Sequence, residues 1–243
     1  MKKTIALLLC LCMLACLFVG CASTSTTEQQ TSETTTTTTT TTETATSESG
    51  NKVLKIGIFE PLTGDNGAGG KQEMLGMQYA NKMFPTVTVG GEEYQVELVY
   101  ADNASSNDKA PTAAQTLISQ GVSVVLGSYG SGVSIAAGDT FSAAQVPAIG
   151  VTCTNPQVTS DCDAYFRICF LDPFQGTVLA NYAKNELKAT KAYCLAKQGD
   201  DYSGGLANYF IKAFGQENCV YEQFPEGTSD FSTYITNAQQ QGC

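Results

Sequence analysis

The stretch VSVVLGSYGSGVSIAAGDTFSAAQVPAIGV, residues 122–151, holds a whole strand–helix–strand unit. Val122 to Leu126 is a short apolar run of the kind buried in a sheet. Gly127 to Ser131 is a glycine-rich loop, Gly132 to Ala144 reads as a helix, and Val146 to Val151 is a second strand. Strands joined through a helix run parallel, because a hairpin needs only a short turn. The same alternation continues outward on both sides. Upstream, Val53 to Phe59 is a strand that ends in the loop Gly64 to Gly70, and Lys71 to Phe84 is a helix with Met74, Met77, Ala80 and Phe84 at helical spacing. Tyr94 to Tyr100 alternates as a strand, and Asn107 to Gln120 is a helix stopped by Gly121. Downstream, Phe174 to Leu187 is helical. Ala192 to Ala196, Leu206 to Phe214, Cys219 to Phe224 and Phe231 to Gln240 then read strand, helix, strand, helix. The expected fold is α/β, with doubly wound parallel sheets carrying helices on both faces. Such sheets bind ligands beyond the carboxyl ends of their strands, which directs attention to loops 60–70, 102–106, 127–131, 152–160 and 197–203.

The ends of the chain have a different character. Lys2 and Lys3 precede an unbroken apolar run from Ile5 to Gly20, the pattern of an export signal. A retained membrane anchor is the competing reading, since a spanning helix needs about 20 apolar residues. Leu17 to Ser23 (LFVGCAS) resembles a bacterial lipobox, which makes Cys21 the expected lipidation site; Met13 to Cys16 is a weaker candidate. Residues 22–50 contain 15 Thr, 5 Ser and 4 Glu, a composition that cannot bury a core and reads as a disordered tether. The expected organisation is a signal over 1–21, a linker over 22–50, a first α/β lobe over 51–173 and a partial second lobe over 174–243. The whole chain has a formal charge of −10 and no histidine. The signal carries two lysines and the linker four glutamates, which leaves residues 51–243 at −8. An acidic body argues against nucleic acid and anionic lipid surfaces as partners. The lack of histidine removes the commonest general base and the usual serine and cysteine nucleophile pairs.

The motifs are weighed against plain structural roles. The loop GDNGAGGKQ lies between a strand and a helix, but a phosphate loop would need glycine where Asp65 stands and serine or threonine where Gln72 stands. A dinucleotide motif would need glycine at 72 as well, so no nucleotide cofactor is expected. No G-x-S-x-G nucleophile elbow occurs. Ser131 sits where a helix should start, an N-cap position. A helix start also offers free N–H groups to a carboxylate ligand. Thr152, Cys153 and Thr154 follow the next strand and would lie beside that helix start, so their hydroxyls and carbonyls can complete a cage for a small zwitterion. Tyr202, in the loop after Ala196, is either an aromatic wall over a ligand or a solvated residue at a helix entry. Asp102 and Asp161 to Asp163 read as caps and loop charges. Of ten cysteines, Cys153, Cys162, Cys169, Cys194, Cys219 and Cys243 remain after the signal and Cys21 are set aside. Six cysteines allow fifteen pairings, so connectivity is open. No CxxC occurs, and no metal or other cofactor is expected.

In addition, KIGIFEPLTG, VVLGSYGSGVSIAAG, VPAIGVTCTNP, YFRICFLDPFQG, QGDDYSGGLA and TSDFSTYI occur in an order that resembles the branched-chain amino-acid binding proteins of ABC importers, with the type 1 periplasmic-binding fold. The resemblance runs from residue 53 to the chain end. It implies two α/β lobes that close on an amino acid. It also implies ligand-carboxylate and amine contacts from Ser131, Thr152 and Thr154, with Cys153 contributing mainly through its backbone, and Tyr202 lying over the ligand. Gly69 stands where the family often has a contact residue, which implies a roomier pocket or a different side-chain preference. The family continues well beyond position 243, so the second lobe and the usual acidic partner of the ligand's amine are expected to be incomplete.

These readings lead to an extracytoplasmic solute-binding protein, lipid-anchored to the bacterial cell membrane, that captures an amino acid or similar zwitterion for ABC permease subunits without catalysis. The alternatives are a ligand-sensing module of a receptor, a cysteine or serine hydrolase, and a fragment without a competent site.

Overall fold

A computed structural model describes residues 52–243. The signal, Cys21 and the whole tether therefore lie outside the described residues. The chain folds around two sheets. The larger has six strands in the order β2-β3-β1-β4-β5-β6: β1 (Val53–Glu60), β2 (Thr86–Val89), β3 (Glu92–Asp102), β4 (Val124–Leu126), β5 (Ala148–Gly150) and β6 (Tyr165–Arg167). The smaller pairs β7 (Ala192–Lys197) with β8 (Cys219–Phe224). The helices are α1 (Gly67–Met83), α2 (Ala110–Ser119), α3 (Ser131–Ala144), α4 (Gln157–Ser160), α5 (Asp172–Asn185), α6 (Asp201–Phe214) and α7 (Ser232–Gln241).

The α/β class read from the sequence holds, with one correction: the larger sheet is mixed. β2 runs antiparallel to β3, with Val89 opposite Glu92. A two-residue turn of Gly90 and Gly91, both at positive φ, joins them. Paired positive φ angles match the turn to the twist of the flanking strands, which is why glycine suits it. β6 and α4 were also unforeseen; at three and four residues they are too short to show a period.

The core lies around the larger sheet. Phe59 of β1, Leu117 of α2, Val125 of β4 and Phe141 of α3 are all fully buried. Phe141 meets Phe59 edge-on at 5.5 Å and Tyr165 at 6.1 Å between ring centroids. Edge-to-face pairs place a positive rim against a negative face. Cys153 and Cys162 belong to this cluster. Burial pushes the Cys153 thiol up to about 11, so little thiolate forms near neutral pH.

Around the smaller sheet, α6 crosses between the parallel β7 and β8 and packs against α5. The cover is thin: Ala180, Ala196 and Phe214 are the buried apolar residues there among those described. Cys194 on β7 stands opposite Tyr221 and Cys219 on β8 opposite Ala192, so the two thiols sit diagonally on neighbouring strands, and burial raises Cys194 to about 12.

Candidate ligand site

Loops at the carboxyl ends of β1, β3, β4, β5, β6 and β7 meet around a cavity of about 430 Å³. The amino-terminal starts of α3 and α6 both reach it: a Cβ on Gly132 would lie 2.7 Å from Asn107 Oδ1 and 2.9 Å from Asp201 Oδ2. Asn155 Nδ2 donates to the Asp201 carbonyl at 2.9 Å, and Lys197 Nζ at the end of β7 pairs with Asp65 Oδ2 at 2.8 Å. These contacts tie the first sheet's loops to those of the second.

Ser131, Thr152, Thr154 and Tyr202 all line the cavity. Ser131 does so in a different role from the expected N-cap. Gly130 occupies the cap position with φ of 119°, and Ser131 is the first helical residue. Its buried Oγ accepts from the Asn155 N–H at 3.2 Å, which leaves its own hydrogen free to donate. The amides of this first turn have no acceptor within the helix. Tyr202 stands over the cavity with its hydroxyl accepting from Gln175 Nε2 at 3.1 Å. Asp200 caps α6 by accepting from the Ser203 N–H at 2.8 Å.

Cys153 is not among the lining residues. Its side chain is fully buried under Gly150, where an added Cβ would lie 2.1 Å from Sγ. Its carbonyl is already engaged, accepting from Arg167 Nη1 at 2.9 Å. Arg167 also donates to the carbonyls of Asn155 and Pro156 and to Thr159 Oγ1. A guanidinium spreads several N–H donors in one plane, so a single arginine at the end of β6 sets the course of the 152–160 loop.

The space at Gly69 is taken by a neighbouring ring rather than left open. A Cβ there would lie 2.6 Å from the Tyr129 ring, which itself lines the cavity. The bare glycine makes room for an aromatic from the next loop. Sequence reading also missed Asn66, Ser105, Asn107, Phe170 and Gln175, which complete the lining. Position at a strand end could have found Asn66 and Ser105, since both lie in or beside loops already singled out. Asp102 holds these two loops together: it accepts from the N–H groups of Leu62, Thr63 and Ala104. Although burial opposes it, this bonding, together with that from the Thr63 hydroxyl, holds its carboxyl below the usual range.

Two more carboxyls lie just behind the lining. Glu60 ends β1, is fully buried, and accepts from the Tyr129 N–H at 2.7 Å. Glu73 on α1 accepts from Thr152 Oγ1 at 2.5 Å. Burial first, then the charge of Glu73, pushes Glu60 up to about 10, and burial raises Glu73 as well. Among the described residues, no lysine or arginine lines the cavity.

The family model described as periplasmic binding protein matches residues 53–243. An amino acid binding protein of Pseudomonas aeruginosa is 32% identical over 193 residues, which is 77% of this chain and 51% of the relative. The leucine-binding protein of Thermotoga maritima superposes with a TM-score of 0.73 at 32% identity, covering 78% of this chain and 54% of that one. A branched-chain amino acid substrate-binding protein of Streptococcus pneumoniae, solved with isoleucine, gives 0.69 at 29% identity, covering 77% and 54%. The chain thus spans about half the length of the relatives it matches, and the fold is the type 1 periplasmic-binding fold.

Proposed function

Because the chain belongs to the periplasmic binding protein family, we propose that it captures a branched-chain amino acid or a similar small zwitterion outside the cytoplasm and passes it to the permease of an ABC importer. On this reading it works by closure of its two sheets' loops over the ligand, without catalysis, and Cys21 carries the lipid that holds it at the membrane. The single observation that carries the proposal is the polarity of the cavity. The lining combines the first turn of α3 and the free Ser131 hydrogen with Thr152 backed by Glu73. Helix amides favour negative charge and a carboxylate favours positive charge, so the two groups complement the two ends of an α-amino acid. With no cationic side chain in the lining among the described residues, a ligand carboxylate depends on the helix start. Tyr202 and Phe170 supply apolar surface for a side chain. The resemblance to proteins named for leucine and branched-chain amino acids favours that ligand class.

Titration calorimetry of the protein against leucine, isoleucine, valine and small amides tests the reading. Binding of at least one is expected, and Ser131→Ala should weaken it by about 1–3 kcal/mol through loss of a hydrogen bond to a charged group. Absence of binding to all of them would sink the proposal, and an unchanged dissociation constant in Ser131→Ala would remove Ser131 from the contacts.

A further inference from the structure

Behind Thr152, outside the cavity lining, sits a buried polar cluster built around Glu60 and Glu73. Glu60 and Glu73 lie close enough for the charge of Glu73 to raise the Glu60 carboxyl, after burial has done so. Tyr129 N–H donates to Glu60 Oε2, and the Thr152 hydroxyl donates to Glu73 Oε1. The remaining oxygens, Glu60 Oε1 and Glu73 Oε2, are buried with no other partner among the described residues. Two carboxyls in this contact cannot both be ionised. The more buried Glu60 holds a proton more firmly, and Glu73, which accepts from the Thr152 hydroxyl, is the partner left to carry the charge.

A threonine hydroxyl has one hydrogen and two lone pairs. Thr152 commits its hydrogen to a carboxylate, a strong acceptor. Toward the cavity it presents lone pairs only. Ser131 is its opposite: its oxygen is taken by the Asn155 N–H and its hydrogen is free. The two hydroxyls are therefore set with opposed polarity, and the groups that set them are not ligand contacts.

We propose that Glu73 is a positioning residue for specificity: by fixing the Thr152 hydroxyl as an acceptor, it makes the site select ligands that bring an ammonium to Thr152 over carboxylic acids of the same skeleton without one. This rests on the amino-acid reading given above. Replacing Glu73 by glutamine should reverse the polarity. The Glu60 proton requires an oxygen partner, so the amide oxygen turns to Glu60 and the amide nitrogen turns to Thr152. The amide then donates to Thr152, whose hydrogen swings into the cavity, and the negative charge behind it is lost.

The test measures dissociation constants for leucine and for its des-amino analogue 4-methylpentanoate in four proteins: unaltered, Glu73→Gln, Thr152→Val and Thr152→Ser. The ratio of the two constants is the readout, because a merely structural role for Glu73 would weaken both ligands together. The preference for leucine should fall at least tenfold in Glu73→Gln and Thr152→Val and persist in Thr152→Ser. Parallel weakening of both ligands, or an unchanged ratio, in the two altered proteins overturns the inference. Should Glu73→Gln fail to fold, the Thr152→Val and Thr152→Ser pair decides by the same ratio. If the unaltered protein binds neither leucine nor any other amino acid, the functional reading itself fails; if it binds leucine and the ratio does not move, only the role of Glu73 fails.

Discussion

The six-stranded and two-stranded sheets come from the same alternation of apolar strand and helix, yet only the first encloses a continuous core. The buried cluster runs from Phe59 to Tyr165 and draws on β1, β3, β4, α2 and α3. The second sheet has one crossover helix and few neighbours, and α7 contains no buried residue. Its packing helix α5 leaves Phe174 and Tyr182 exposed. Periodicity within a segment makes an element, but a core needs layers on both sides of a sheet, and small units hide a smaller share of their surface. The site sits where the two regions meet. It takes its rigid parts from the first sheet and Asp200, Tyr202 and Gln175 from the thinner region.

Phe141→Ala should have the largest effect, about 3–5 kcal/mol of stability, because it empties a position packed edge-on against two rings. Phe231, which meets Phe224 at 5.0 Å but stays half-exposed, should cost roughly 1 kcal/mol when cut to alanine. Denaturant unfolding of both variants measures the contrast, and equal losses would mean that the second region has as tight a core as the first. Arg167→Ala should cost about 2–3 kcal/mol by leaving loop carbonyls without their donor. It should also lower ligand affinity without touching the cavity, which calorimetry alongside unfolding would detect.

The third effect depends on pH. Glu60 is held near 10 when folded, against an ordinary value of 4.5, so the folded state binds more protons between those limits. Stability should therefore decline as pH rises through that interval. Glu60→Gln mimics the protonated acid and should flatten the decline, measured as melting temperature at about pH 5, 7 and 9; a slope left intact would place the proton elsewhere. The smallest effect concerns the bridge between the regions. Lys197→Met removes pairs with Asp65 at 2.8 Å and Glu226 at 3.5 Å, whose carboxylate side chains are 67% and 77% exposed. A loss below about 1 kcal/mol is expected, shrinking further in high salt. A larger, salt-insensitive loss would show that the two regions are joined more firmly than their exposed contact implies.

The long elements were legible because apolar runs such as Val53 to Phe59 and Cys219 to Phe224 carry their own period. β2 was hidden because its side chains are largely exposed and its turn is two glycines rather than a marked loop. The lining residues Ser131, Thr152, Thr154 and Tyr202 could be picked out because they follow strands in a sheet of known polarity. That the Cys153 side chain turns away beneath Gly150 could not be read from spacing, because only the folded packing reveals it. Glu60, Glu73 and Arg167 could not be assigned their parts from spacing at all. Thr152 and Glu73 stand 79 positions apart, and each carboxyl read singly is an ordinary charge.

The contact between Gly69 and Tyr129 also bears on how such a protein can change its preferences. A larger side chain at 69 alone would collide with the ring, and a smaller one at 129 alone would open the wall of the cavity. The two positions are thus free to drift only in tandem, and a compensated exchange between them offers a route by which descendants of this chain can remodel one wall of the binding chamber while every hydrogen-bonding group stays in register.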